Sequence, residues 1–406
     1  MDNPKMTEVR YAIFETTTAQ PASRRMRRAG LALDPLAASK ASASVTTTTV
    51  RLLDAEEADR IRVAGRQTLR VPRMPVRLIP QVAPGSNAGE GQAWGIAAVG
   101  AGQLGLAGEG VCVAVLDTGI DPKHPAFDGL INERNYKDFT GTGLIDSVGH
   151  GTHCAGIIFG RTVNDERIGL ATGITSVLIG KIADRNFTTT TDQLQQALNW
   201  AVNSGADVIS LSVGLDFLGH ASALRDAGLP QDAALVAALN DYRDYTRFFD
   251  RLIGQVVSAG AASRSALVVA AAGNDSHGDS QPPYRIGATL PAVAEKVLSV
   301  GAVSKGVGDL FDLAPFSNTG VDLCAPGVAI RSALPGGRYG AMTGTSQAAP
   351  HVAALAALWW QKVRNERASR PDPDYVRSLI VGAAKRERIS GQHLFEEIGG
   401  GLAQVP

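Results

Sequence analysis

Five short, nearly continuous apolar runs constrain the fold of this chain more than any other feature: Val111–Leu116, Ser176–Ile182, Val208–Val213, Leu267–Ala272 and Val297–Val303. A strand with one wet face alternates. A run that is apolar throughout belongs to a strand covered on both faces, as in a parallel sheet. Between the second and third runs, Leu194, Ala197, Leu198, Ala201 and Val202 fall at i, i+3, i+4, i+7 and i+8, with Asp192 placed to cap this helix and Gly205 to close it. That is a strand–helix–strand unit, and it predicts an α/β chain with a doubly wound, mostly parallel sheet. In such sheets functional groups gather at the carboxyl ends of the strands.

The N-terminal part reads differently. Residues 1–8 form a tail. Val9–Phe14 and Val45–Leu53 alternate and are rich in β-branched residues; Asp54 and Glu57 make a capping box opening a helix to about Ala64; Arg70–Ile79 is extended, broken by Pro72 and Pro75. Ser23–Gly30 holds four arginines and reads as a helix with a charged, solvated face. The sum is a small α+β module over 9–80. Residues 81–92 (QVAPGSNAGEGQ), poor in apolar side chains, form a linker, and the main domain fills 93–406.

Charge separates the two parts. Over all 406 residues 39 Lys+Arg balance 39 Asp+Glu, but residues 1–80 carry 14 basic against 8 acidic groups, a net of +6, leaving −6 for the remainder. Opposite fields favour docking of one part on the other. The overall balance gives no electrostatic reason to expect nucleic acid or an anionic membrane as partner. Three cysteines, Cys112, Cys154 and Cys324, are too few and too scattered for a disulfide scaffold or a zinc site. The longest apolar runs, such as Ala348–Trp360 with its His351, fall short of a membrane span, and the first twenty residues lack the apolar core of a secretory signal. These features predict a soluble, cytoplasmic protein, with unconventional export as the alternative.

Four residues carry possible chemistry. Asp117, in VAVLDTGID, is a turn former before Gly119 or a carboxylate at a strand end. A single-chain aspartic protease needs a second Asp-Thr/Ser-Gly, which the chain lacks. His150, in GHGTHCAG, is three residues from His153 with no Glu between them, which disfavours a His-Glu-x-x-His metalloprotease. Ser346, in TGTSQAAPHVAALAALWW, is an N-cap or a nucleophile at a helix N-terminus. Asn274, in VVAAAGND, suits a left-handed turn or an amide donor to an oxyanion.

Taken in order, DTGI, HGTH, AAGN and GTSxAAP resemble the subtilisin-like serine proteases, the subtilases, from about Trp94 to the terminal GGGLAQVP. The resemblance implies a catalytic triad of Asp117, His150 and Ser346, with Asn274 and the Ser346 N–H as oxyanion hole. It implies that Ser210, Leu211, Ser212, Val213 and Gly214 supply the strand that pairs with an extended polypeptide substrate, with Val213 where the family usually has Leu. The implied activity is that of a serine endopeptidase working through an acyl-enzyme; a transpeptidase or macrocyclase on the same triad is the alternative. The N-terminal module resembles the family's ferredoxin-like prodomain, which assists folding and inhibits by laying its C-terminal end in the cleft. That implies a zymogen that processes itself between Ile79 and Gln92.

No cofactor is required by this reading. Family members often carry a calcium-ligating Asp after His-Pro, but here His124-Pro125 is followed by Ala126, which leaves a structural calcium open only elsewhere in the chain. Cys154 stands beside the catalytic histidine as in the proteinase K-like branch, a small buried group with sensitivity to mercurials as its corollary. The stretch from Gly214 to Asn274 is longer than compact members need. The excess, Leu215–Arg247, contains Gly219, Gly228 and Pro230 and then a helical run from Asp232, and its aromatics Tyr242, Tyr245, Phe248 and Phe249 serve either packing or a subsite wall.

Overall fold

The computed structural model describes residues 10–19, 45–63, 69–71, 75–80, 82, 94–101, 105–186, 188–257, 265–367 and 369–406. β1 (Arg10–Ala19) pairs antiparallel with β2 (Val45–Leu53), and α1 (Ala55–Val63) leads on to β3 (Leu69–Val71), which takes the other edge of β1. β1 runs beyond Phe14 because the threonines that follow also suit extended backbone. The capping box forms: Glu57 N–H donates to Asp54 Oδ1 at 2.8 Å and Asp54 N–H to Glu57 Oε2 at 3.4 Å. β4 (Val76–Leu78) leaves this sheet altogether. The helix expected at Ser23–Gly30, and the linker apart from Val82, lie outside the described residues.

Beyond α2 (Trp94–Ala98) the strands are β5 (Cys112–Asp117), β6 (Tyr136–Asp138), β7 (Ser176–Lys181), β8 (Thr188–Thr189), β9 (Val208–Leu211), β10 (Val213–Leu215), β11 (Leu267–Ala271), β12 (Val297–Lys305), β13 (Phe311–Leu313), β14 (Leu323–Pro326), β15 (Ile330–Leu334) and β16 (Arg338–Met342). The main sheet has the order β13-β12-β11-β9-β5-β7-β6, with β14 also on β12, and only the β12–β13 pairing is antiparallel. The helices are α3 (His150–Phe159), α4 (Thr191–Asn203), α5 (Phe217–Asp226), α6 (Gln231–Val257), α7 (Thr345–Arg367), α8 (Pro373–Ala383) and α9 (Phe395–Ile398). They cover both faces of the sheet. Val113 and Val115 of β5 face a core shared with α3 and α7, whereas Ala114 and Leu116 face a second core shared with α4 and α6. The doubly wound arrangement explains why those runs are apolar at every position.

Three local expectations change. Thr190, not Asp192, caps α4: its Oγ1 accepts from Gln193 N–H at 3.2 Å while Gln193 Oε1 accepts from Thr190 N–H at 2.9 Å, leaving Asp192 in the first turn. The run Val208–Val213 is not one strand. It breaks at Ser212, where the chain leaves the main sheet to form β10 against β4. The insertion is a helical hairpin, with Gly219 inside α5, Gly228 (φ +103°) ending it, and α6 running on from Gln231 to Val257. Tyr245, Phe248 and Phe249 are fully buried packing groups, but Tyr242 faces a cavity beside β10. Among the described residues no helix is long and apolar enough to cross a membrane.

Candidate active site

Asp117 ends β5, His150 opens α3, Asn274 follows β11, and Ser346 lies in the first turn of α7. His150 Nδ1 lies 2.7 Å from Asp117 Oδ1, and Thr118 N–H donates to the same oxygen at 2.7 Å. Both side chains are buried. Burial works to lower the imidazole pKa, but the adjacent Asp117 carboxylate outweighs it, so His150 stands well above its ordinary value. Cys154 beside it adds to the upward shift, while burial pushes the thiol's own pKa up.

The placement of His150 depends on Asp146, which the sequence reading missed. The Asp146 carboxylate, 1% exposed, accepts from the N–H groups of Val148 (3.0 Å), Gly149 (2.7 Å) and Thr152 (2.9 Å) and from Thr152 Oγ1 (2.6 Å). It thereby satisfies the N–H groups of Gly149 and Thr152 at the start of α3. Thr118 Oγ1 accepts from Gly151 N–H at 2.8 Å, joining the ends of β5 and α3. Gly151 is required there, because a Cβ would lie 2.2 Å from Gly119 O. His153 and His351 are bystanders: burial lowers them to about 3 and about 4, and each donates to a backbone carbonyl, Ile330 O and Gln347 O respectively.

Ser346 is held through its carbonyl. In α7 the donor to Ser346 O would be the N–H four residues on, but that residue is Pro350, which has none. The freed oxygen instead accepts from Cys154 Sγ at 3.3 Å and Ser212 Oγ at 3.4 Å, and Cys154 Sγ lies 3.9 Å from His150 Nδ1. One side chain thus links the serine backbone to the imidazole. Ser346 Oγ and His150 Nε2 are both buried without a hydrogen-bond partner, so the bond between them is not made in this state. Catalytic hydrogen bonds of this kind commonly close only around substrate.

Asn274 is oriented by Thr345, whose N–H and Oγ1 donate to Asn274 Oδ1 at 2.9 and 2.8 Å. The amide nitrogen must then point the other way, and it donates to Pro80 O at 2.7 Å. Gly344 leaves room for it, since a Cβ there would lie 2.8 Å from Asn274 Nδ2.

Pro80 arrives at the end of β4, which lies antiparallel between two strands. Leu78, Arg77 and Val76 pair with Val213, Gly214 and Leu215 of β10, and β8 takes the opposite edge. Ile79 N–H donates to Ser212 O at 3.1 Å, and Val82 N–H to Thr343 O at 3.0 Å. Ser212, Val213 and Gly214 therefore line a cleft that grips extended backbone. Ser210 and Leu211 do not: they lie in β9, paired on both sides by β5 and β11 within the main sheet.

Ala126 is fully buried, and both ring nitrogens of His124 are engaged, Nδ1 by Ala126 N–H and Nε2 by Arg338 O. That turn offers no side-chain carboxylate where family members place a calcium ligand. Asp117, His150 and Cys154 offer ligand atoms within 4.8 Å of one another, a buried set suited to a soft, thiophilic ion.

An α/β sheet with a carboxylate, an imidazole, a serine and an amide gathered at its strand ends defines a serine-hydrolase type of site. Residues 108–401 match the family model described as the subtilase family, and the chain belongs to that family. It is 36% identical over 275 residues to the thermophilic serine proteinase of Bacillus sp. (strain AK1), covering 66% of this chain and 57% of that protein. It is 32% identical over 260 residues to the major intracellular serine protease of Bacillus subtilis (strain 168), covering 63% and 69%. With subtilisin Savinase of Lederbergia lenta it shares 33% over 276 residues, covering 66% and 84%.

Proposed function

We propose that this subtilase is a serine endopeptidase acting on polypeptides, made as a zymogen whose N-terminal module is its own inhibitor. The observation that carries the reading is the peptide carbonyl of Pro80 on Asn274 Nδ2, at the end of a strand held between β10 and β8. A cleft that binds backbone through main-chain groups accepts many sequences, as a protease must. In the reaction His150 Nε2 takes the proton of Ser346 Oγ as that oxygen attacks the substrate carbonyl. The tetrahedral oxyanion is held by Asn274 and the Ser346 N–H, His150 returns the proton to the leaving amine, and water then frees the acyl group. Asp117 fixes the imidazole and stabilises its charged form.

In the zymogen, Val76–Pro80 fills the groove that substrate needs, and the β2-β1-β3 sheet with α1 forms the body of a ferredoxin-like module. Processing falls within 79–92. The burial of Cys112, Cys154 and Cys324 and the naming of the Bacillus subtilis relative as intracellular support a cytoplasmic setting. No metal takes part in this mechanism. The test is the intact mass of purified wild type against Ser346→Ala. A cut between Ile79 and Gln92 in the wild type alone supports both activity and self-processing. Two uncut chains, with no labelling of Ser346 by a fluorophosphonate, would refute both. Hydrolysed peptides gain the mass of one water, which separates this reading from a macrocyclase.

A further inference from the structure

A cavity of about 370 Å³ adjoins Ile79 and Pro80, and the insertion forms one side of it through Asp216, Phe217, Leu218, Leu239 and Tyr242, with Asp275 also contributing. Arg77 is the single cation among the described residues that line it. Arg77 Nη1 lies 3.1 Å from Asp216 Oδ2, and the Asp216 side chain is 16% exposed. Asp216 is held by its Oδ1, which accepts from Gly219 N–H at 2.9 Å as the cap of α5; its own N–H donates to Pro75 O at 3.0 Å, a bond that leaves with the N-terminal segment. The hairpin behind it is braced by His220 Nε2 to Asp241 Oδ2 at 2.9 Å and by an edge contact of Phe217 with Tyr242.

We propose that the insertion forms a substrate subsite for a basic side chain, with Asp216 as its specificity-determining residue. The proposal rests on the endopeptidase reading above. When the N-terminal segment leaves, it takes Arg77 with it, and the described lining residues then hold the carboxylates of Asp216 and Asp275 and no cation. A substrate laid along β10 brings one residue opposite Gly214, the place Arg77 holds in the zymogen. Arginine or lysine there restores the charge balance, and its aliphatic stem runs beside Leu218 and Leu239, apolar side chains left 64% and 59% exposed. Glutamate at the same place meets two like charges.

The experiment uses the full chain after self-processing and peptides carrying Arg, Gln or Glu at each of the four positions upstream of the cleaved bond. The expected result is a preference for Arg over Glu in kcat/KM of about five- to tenfold at one position, shrinking as salt is raised. Asp216→Asn preserves the cap, since Asn caps helices as well as Asp does. It should reduce that ratio to about twofold or less, with the other positions and the melting temperature unchanged. Cleavage with no position-specific basic preference, or with one that survives Asp216→Asn, overturns the subsite. Peptides left uncleaved throughout, with Ser346 unlabelled by a fluorophosphonate, would instead remove the endopeptidase reading on which the subsite rests.

Discussion

Asp146→Asn is the substitution that best tests how the site is held together. The native carboxylate accepts on both oxygens: Val148 and Gly149 on one, the N–H and hydroxyl of Thr152 on the other. An amide has one accepting oxygen. Its least costly placement keeps that oxygen on Val148 and Gly149 and turns the amine toward Thr152, whose hydroxyl, already accepting from Asp121 N–H at 3.0 Å, takes the amine on its second lone pair. The Thr152 N–H then loses its acceptor in a buried place. One orphaned buried donor and the loss of charge assistance in the remaining bonds cost about 2–4 kcal/mol. With an unfolding entropy of roughly 2.1 cal/mol/K per residue over about 300 residues, the melting temperature should fall by about 3–6 °C. The comparison belongs in a Ser346→Ala background, so that self-cleavage does not enter the calorimetric scan. Because His150 is the first residue of α3, activity in the Ser346 form should fall by about ten- to a hundredfold in kcat, with KM nearly constant. A melting point within one degree of the parent would refute the energetic argument, and a lower melting point with unchanged kcat would refute the positioning role.

Activity should rise with pH as His150 loses its proton, and because Asp117 holds the imidazolium, the midpoint of the kcat/KM profile should lie above the ordinary imidazole value of about 6.5; a midpoint at or below it contradicts the arrangement. Asn274→Ala should lower kcat by about 10²–10³, the loss found when a subtilisin is deprived of this donor, and a loss under tenfold would count against an oxyanion role. Mercurials should inhibit the enzyme through Cys154, and Cys154→Ala should resist them; equal inhibition of both would move the target elsewhere. If the +6/−6 division helps hold the N-terminal module in place, raising salt should speed its release, and a rate indifferent to salt would remove the electrostatic contribution.

Most of the framework was legible in the chain because it is local. Each core strand announces itself by a run of apolar residues, and each motif sits in a window of four to eight positions at a strand end or a helix start. Asp117, His150, Asn274 and Ser346 could be named on that basis, as could the Asp54–Glu57 capping box and the glycine that closes α4. Neighbouring candidates blurred the detail: Thr190 and Asp192 are both good caps, and only the reciprocal bond with Gln193 chose between them.

What stayed hidden was set by packing between distant segments. Asp146 looks like any turn aspartate until α3 is seen to start on it, and the role of Thr345 appears only once its bonds to Asn274 are known. The break at Ser212 leaves Ser210 and Leu211 between β5 and β11 and turns Val213–Leu215 toward β4, which only the strand pairing reveals. The Arg77–Asp216 pair and the bond from Cys154 to Ser346 join residues far apart in the chain. The apolar pattern determines which segments become strands and helices, since burial acts on each residue where it stands. Which polar groups meet across the gaps is decided by the folded shape, because a hydrogen bond needs a partner within about 3 Å, and only the packed elements supply it.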